Sequence, residues 1–317
     1  MSTELTVPGS IVWLGETPVI AFGTLGADLM DQPFLDQQLA GMRITGLRPL
    51  DQIEVEDDGG DLGLAGAVFH MSRCGSTLLC RQFDALEGVA ALSEPFVFQQ
   101  LLDGPPAAPA LTRVRLRKLV ALWREAVAPV ADRFIIKWPL GVGHHAVTVA
   151  GALPETPMIF LHRDPVEVLA SIERESLGGL RHARPHHAHG QPDPQAEPRS
   201  RTRICAEAIA TACLAIAPAP GVRSLDYRLL PGATAAFVAP LFGLTPDARM
   251  VAAAADNSKV RGRAFVPDAT EKQAVAGPEV RELARTVIGP ALAVALRALD
   301  PIPASDGGGD GQEGWFR

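Results

Sequence analysis

Between residues 64 and 226 the chain alternates short, continuous apolar runs with longer stretches whose apolar positions recur every three or four residues. The runs "LAGAVFHM", "VAALSEP", "RFIIKWP", "PMIFLHRD" and "GVRSLDY" predict buried strands. The stretch 77–86, with Leu78, Leu79, Phe83 and Leu86, predicts a helix. "FVFQQLL" reads as a helical turn, "LTRVRLRKLVALWREAVAP" as a long amphipathic helix with a basic outer face, and "HHAVTVAGALP" as a further helix. "DPVEVLASIERE" has a defined start: Asp164 caps it, Pro165 fits the first helical position and Glu167 completes a capping-box-like pair. "TRICAEAIATACLAIAP" and "EVRELARTVIGPALAVALRAL" supply later helices, the second one helix or a pair. Strands separated by helices in this order predict an α/β fold, a mainly parallel central sheet with helices on both faces.

The ends and one internal stretch break this rhythm. Residues 1–60 read as a small N-terminal region, with strand-like pieces in "SIVWLGETPVIAFG", a short helix in "PFLDQQLAGMR" and an acidic, Gly-rich linker in "EVEDDGGDLG". Residues 61–303 form the main α/β domain, and 304–317 read as a flexible tail. Residues 177–200 are rich in Gly, Pro and His and predict a long mobile loop.

Composition narrows the function classes. A chain of 317 residues that is 47% hydrophobic can bury a full-sized core. A net charge of −7 argues against a general nucleic-acid binder, which usually carries a basic excess. The four cysteines, Cys74, Cys80, Cys205 and Cys213, match neither a zinc module nor a disulfide scaffold, so reduced thiols in a cytoplasm are expected. No signal peptide and no apolar run of membrane-spanning length is seen, and no membrane or nucleic-acid partner is expected.

The chemistry concentrates in "HMSRCGSTLL". A strand that ends in a turn and opens a helix presents backbone N–H groups and the positive end of the helix dipole to an anion. Gly75 lets the backbone approach closely, Ser76 and Thr77 add hydroxyls, and Arg73 adds a planar cationic fork. The loop is not a Walker A sequence. His70 stands where the first glycine belongs, and Ser76 where the lysine does. An ordinary strand-to-helix turn remains the alternative for the loop taken alone.

The same stretch resembles the 5′-phosphosulfate loop of the sulfotransferases that use 3′-phosphoadenosine 5′-phosphosulfate (PAPS). That loop has a Lys or Arg, a small residue, Gly and two hydroxylic residues, here Arg73, Cys74, Gly75, Ser76 and Thr77. Cys74 stands where relatives often have Ser, and a thiol donates weakly. "HRDPVEVLAS" resembles the family's 3′-phosphate motif, with Arg163 at a strand end and Ser171 eight residues later on the next helix. A guanidinium pairs bidentately with phosphate; the alternative is a surface pairing of Arg163 with Asp164 or Glu167.

The resemblance implies a P-loop NTPase-like sulfotransferase fold over residues 64–270, PAPS as donor, adenosine 3′,5′-bisphosphate as product, no metal, and a small-molecule acceptor. It implies that Lys137 in "RFIIKWP" reaches the phosphosulfate and that Lys259 and Arg261 in "NSKVRGRAF", with Arg263, close over the nucleotide. The acceptor needs a general base. Glu94 at a strand end is the first choice, and His144 or His145 the second. Arg73, Glu94 and Lys137 thus form the expected catalytic set. Two other readings stay open, a small-molecule kinase and a non-catalytic nucleotide-binding domain. The histidines at 182, 186, 187 and 189 read as a loop covering the acceptor rather than a metal site.

Overall fold

In the computed structural model the described residues are 4–26, 35, 39, 41–55, 62–174, 200–255 and 269–303. Three strands open the chain: β1 (Glu4–Leu14), β2 (Thr17–Gly26) and β3 (Arg43–Pro49). They form an antiparallel sheet in the order β1-β2-β3. Gly15, at φ 61°, makes the tight turn between the first two.

The main sheet has six strands: β4 (Leu64–His70), β5 (Val89–Ser93), β6 (Arg133–Lys137), β7 (Met158–His162), β8 (Val222–Asp226) and the short β9 (Asp300–Pro301). Their order is β5-β6-β4-β7-β8-β9, and every pairing is parallel. All seven residues of β4 are buried, as a central strand covered on both faces requires.

Eight helical segments matter here: α1 (Ser76–Asp84), α2 (Phe96–Leu102), α3 (Pro109–Val127), α4 (Ala146–Ala152), α5 (Pro165–Arg174), α6 (Arg201–Ile216), α7 (Ala248–Ala253) and α8 (Ala269–Val275). Farther on, Pro278–Leu283 and Gly289–Ala298 are joined through a π-turn at Ala284–Ile288, so the C-terminal apolar pattern is one helical run with a bulge.

The chain runs from β4 to β5 and β6 on one side, then crosses to β7, β8 and β9 on the other. Parallel α/β sheets bind ligands at such a reversal, outside the carboxyl ends of the strands. Those ends carry His70, Ser93, Lys137, His162 and Asp226.

The N-terminal sheet packs against α2 and α3 rather than standing apart, and one hydrophobic cluster holds residues from both sheets. Gln100 receives the Ile11 N–H at 2.9 Å and its carbonyl receives Trp13 Nε1–H at 3.0 Å. Arg115 on α3 pairs with Asp51 at 2.6 Å and donates to the Glu16 carbonyl. The expected short helix at 33–43 and part of the acidic linker fall largely outside the described residues. So do the long loop with its four histidines and the basic residues Lys259, Arg261 and Arg263.

Candidate active site

The loop after β4 turns sharply. Ser72 and Arg73 have φ of 64° and 49°, and Gly75 has φ of 87°. The first two are left-handed positions that non-glycine residues adopt at a cost of roughly 1–3 kcal/mol each. Gly75 is the N-cap of α1. A Cβ there would lie 2.7 Å from the Tyr227 ring, so the glycine is required by the close approach as well as by its φ.

Arg73 Nε donates to Ser171 Oγ at 3.1 Å. That bond joins the two sequence elements, because Ser171 lies on α5 and Arg73 in the loop after β4. Arg163, at the end of β7, closes the same corner. Its Nη1 donates to the Arg73 carbonyl at 3.5 Å, and its guanidinium lies 4.0 Å from the centre of the Tyr227 ring. Arg163 is buried, and Glu167 Oε2 accepts from its Nε at 2.6 Å. Asp164 Oδ1 accepts from the N–H groups of Val166 and Glu167, which is the cap expected for α5. The Glu167 carboxylate serves Arg163.

The Cys74 side chain, expected at a phosphate, is instead wholly buried. It is turned under the loop against the backbone of Met71 and Ser76, and burial pushes its thiol up to about 11. What Cys74 can offer an anion is its main-chain N–H. The Ser76 side chain is buried too, whereas Thr77 is half-buried. All four cysteines are free and buried.

On the other side of β4 stands a second charged group. Lys137 Nζ, fully buried, lies 2.7 Å from Glu94 Oε1, and Glu94 N–H donates to the Lys137 carbonyl at 2.8 Å. Burial pulls Lys137 down, but the Glu94 carboxylate outweighs it and holds the ammonium above its ordinary value. Glu94 also has a positive φ of 58°. Its side chain is 27% exposed, so the carboxylate reaches the surface of the site while the lysine does not.

His70, a residue that the anion-loop reading assigned no role, faces the same carboxylate. Its Nε2 is 3.6 Å from Glu94 Oε1, and its Nδ1 accepts the Ser72 N–H at 3.0 Å. Burial pushes the ring down to about 4. The signal for it was present: it is the one ionisable residue in an otherwise apolar run leading into the loop. Tyr227 was legible only as part of a late element, "LDYRLL", with nothing to say that its ring would stack on Arg163.

His144 and His145, the second choice for a base, are engaged elsewhere. His144 Nε2 lies 3.3 Å from the Ala208 carbonyl on α6, and His145 Nε2 lies 3.0 Å from Asp103. His145 lines a cavity of about 210 Å³ with Trp13, Leu102 and Arg115, and neither Glu94 nor Lys137 lines it. Among the described residues no cluster of three or more His, Cys, Asp or Glu can hold a metal, and no helix is long and apolar enough to cross a membrane.

Fold and loop together define a parallel α/β protein whose central strand passes through a tight turn into a helix. No protein-family model matches the chain, and no curated protein matches it in sequence. Among solved structures it is similar to a sulfotransferase from Alicyclobacillus acidocaldarius, at 17% identity and a TM-score of 0.43, over 73% of this chain and 94% of that one. It is also similar to a sulfotransferase from Mycobacterium avium, at 13% identity and a TM-score of 0.41, over 78% of this chain and 79% of that one.

Proposed function

We propose that the protein transfers a sulfonate group from PAPS to a hydroxyl or amine of a small acceptor. One observation carries the reading. The loop arginine and the α5 serine, which the family resemblance assigns to two different phosphates, meet directly through Arg73 Nε and Ser171 Oγ. The Lys137–Glu94 pair stands one strand away, on the other side of β4.

The donor set fits a nucleotide with two separated phosphates. Arg73, Thr77 and the main-chain N–H groups at the start of α1 suit the 5′ end. Arg163 and Ser171 suit the 3′-phosphate, with Glu167 lowering the net charge that Arg163 presents. When bound, PAPS supplies the sulfonate. Arg73 offsets the negative charge on the transferring group and the leaving oxygen, whereas Lys137, expected at the phosphosulfate, is buried behind Glu94 and acts by holding that carboxylate. Glu94 takes the proton of the acceptor nucleophile, being the carboxylate that is both ion-paired and partly exposed. Such a site works by alignment and charge stabilisation. The loop has no Walker lysine to favour a magnesium triphosphate.

The test is a thermal shift with adenosine 3′,5′-bisphosphate. A ligand that binds the native state raises the melting temperature. Wild type should shift, while Arg73→Ala and Arg163→Ala should shift less. No shift in wild type removes the reading, and a shift with magnesium ATP alone favours a kinase. Bisphosphate binding without any turnover that Glu94→Ala abolishes makes the protein a nucleotide-binding domain.

A further inference from the structure

Among the described residues, three that are not glycine have positive φ: Ser72, Arg73 and Glu94. They come from two strand ends, β4 and β5, which are not neighbours in the sheet because β6 lies between them. Strained positions persist only where the surroundings fix them. One side chain touches two of the three. His70 receives the Ser72 N–H on Nδ1 and faces the Glu94 carboxylate with Nε2.

The ring's proton can be placed. Burial keeps the imidazole neutral, so one nitrogen carries hydrogen and the other does not. Nδ1 accepts from Ser72 and is therefore bare, which leaves the hydrogen on Nε2. That nitrogen is buried, the Glu94 carboxylate lies before it at 3.6 Å, and the Trp138 backbone also engages the ring. The groups acting on the ring are Glu94 after β5, Lys137 and the Trp138 backbone at the end of β6, and Ser72 of its own loop.

We propose that His70 is a positioning residue that ties the anion loop to Glu94, one ring nitrogen fixing the Ser72 amide and the other, as N–H, orienting the carboxylate. Where nucleotide loops place a glycine, this chain places a bridge. Filling the loop and aiming the carboxylate then become a single mechanical event. The link is a property of the fold. Its catalytic meaning rests on the sulfonate-transfer reading.

The test has two independent arms. In nitrogen-15 NMR of histidine-labelled protein at pH 7, His70 should appear as the neutral form protonated on Nε2. Its Nε2 signal should move in Glu94→Gln. A proton on Nδ1, or an Nε2 signal indifferent to Glu94→Gln, overturns the proposal. In the second arm, His70→Asn keeps a group at the Nδ1 position and His70→Gln one at the Nε2 position. His70→Asn should leave bisphosphate affinity within about threefold and lower kcat by about tenfold at unchanged KM, the size of one lost hydrogen bond to a charged group. His70→Gln should weaken the affinity by about tenfold. Equal losses of both quantities in both variants also overturn the proposal. If wild type binds no bisphosphate, the sulfonate-transfer reading fails and the NMR arm still decides the link. It decides equally if neither His70 variant folds.

Discussion

Lys137 Nζ lies 2.7 Å from Glu94 Oε1, with the lysine wholly buried and the glutamate partly exposed. A buried ammonium left alone is costly, so the two residues depend on each other unequally. Glu94→Ala strands the lysine and should destabilise the fold by about 3 kcal/mol, the low end for a broken buried pair because water can reach the vacated place. The double variant Glu94→Ala, Lys137→Met should recover much of that loss. Urea unfolding of both variants measures the difference, and equal stability of the two would show that the pair carries no buried charge.

Gly75 and Tyr227 set the width of the loop corner. Gly75→Ala meets a left-handed φ of 87° and a ring 2.7 Å from the new Cβ. It should cost about 1–3 kcal/mol in stability. Moving Tyr227 also removes the face on which the Arg163 guanidinium lies. Anion binding should therefore fall by more than the stability loss alone explains. Isothermal titration with adenosine 3′,5′-bisphosphate, beside urea unfolding, separates the two effects.

Acid sensitivity should come from two histidines. Burial pushes both His70 and His162 down to about 4, with Asp226 partly opposing this at His162. The unfolded chain binds a proton on each near pH 6.5. Between about pH 4 and pH 6.5 it therefore binds more protons than the folded protein, and stability rises with pH. The contribution is complete above pH 6.5 and is lost as pH falls toward 4. The urea midpoint should drop from pH 7 to pH 4.5, and the drop should be smaller in His70→Asn. An unchanged pH dependence in that variant would remove His70 as a source.

The sheet was legible because its strands are buried on both faces. "LAGAVFHM" and "PMIFLHRD" are continuous apolar runs between helical periods. The sheet is in fact wholly parallel, and the antiparallel strands lie apart in the N-terminal sheet. β3 was not legible, since "RITGLRP" is exposed along most of its length and lacks a core-facing alternation. β9 was missed because Asp300–Pro301 is too short to carry a pattern.

At the site, the strand–turn–helix pattern suggested the anion loop, and the family resemblance singled out Arg163 with Ser171. Spacing could not tell which way a side chain turns. Cys74 points into the core and Arg163 meets Glu167 because of packing between segments far apart in sequence. The role of His70 depends on a third segment, the end of β5, reached only through the fold.

On the proposed reading, Glu167 sets how strongly Arg163 attracts the 3′-phosphate. Its Oε2 accepts from Arg163 Nε at 2.6 Å in a buried setting, so a phosphate arriving there meets a nearly neutral pair rather than a bare cation. The same bond helps to hold the guanidinium over the Tyr227 ring, 4.0 Å from its centre. Glu167→Gln keeps a hydrogen-bonding side chain of the same length and removes the negative charge. In an effective dielectric near 20, a unit charge a few ångströms away is worth several kcal/mol before screening, so even a small fraction of it is visible in affinity. Glu167→Gln should bind adenosine 3′,5′-bisphosphate about tenfold more tightly than wild type at low salt, with the gain shrinking as salt rises. Glu167→Ala should not show the gain, because Arg163 then loses the partner that orients it. Titrations of the three proteins at two ionic strengths decide the matter, and weaker binding by Glu167→Gln would mean that the carboxylate matters for aiming the arginine and not for tempering its charge.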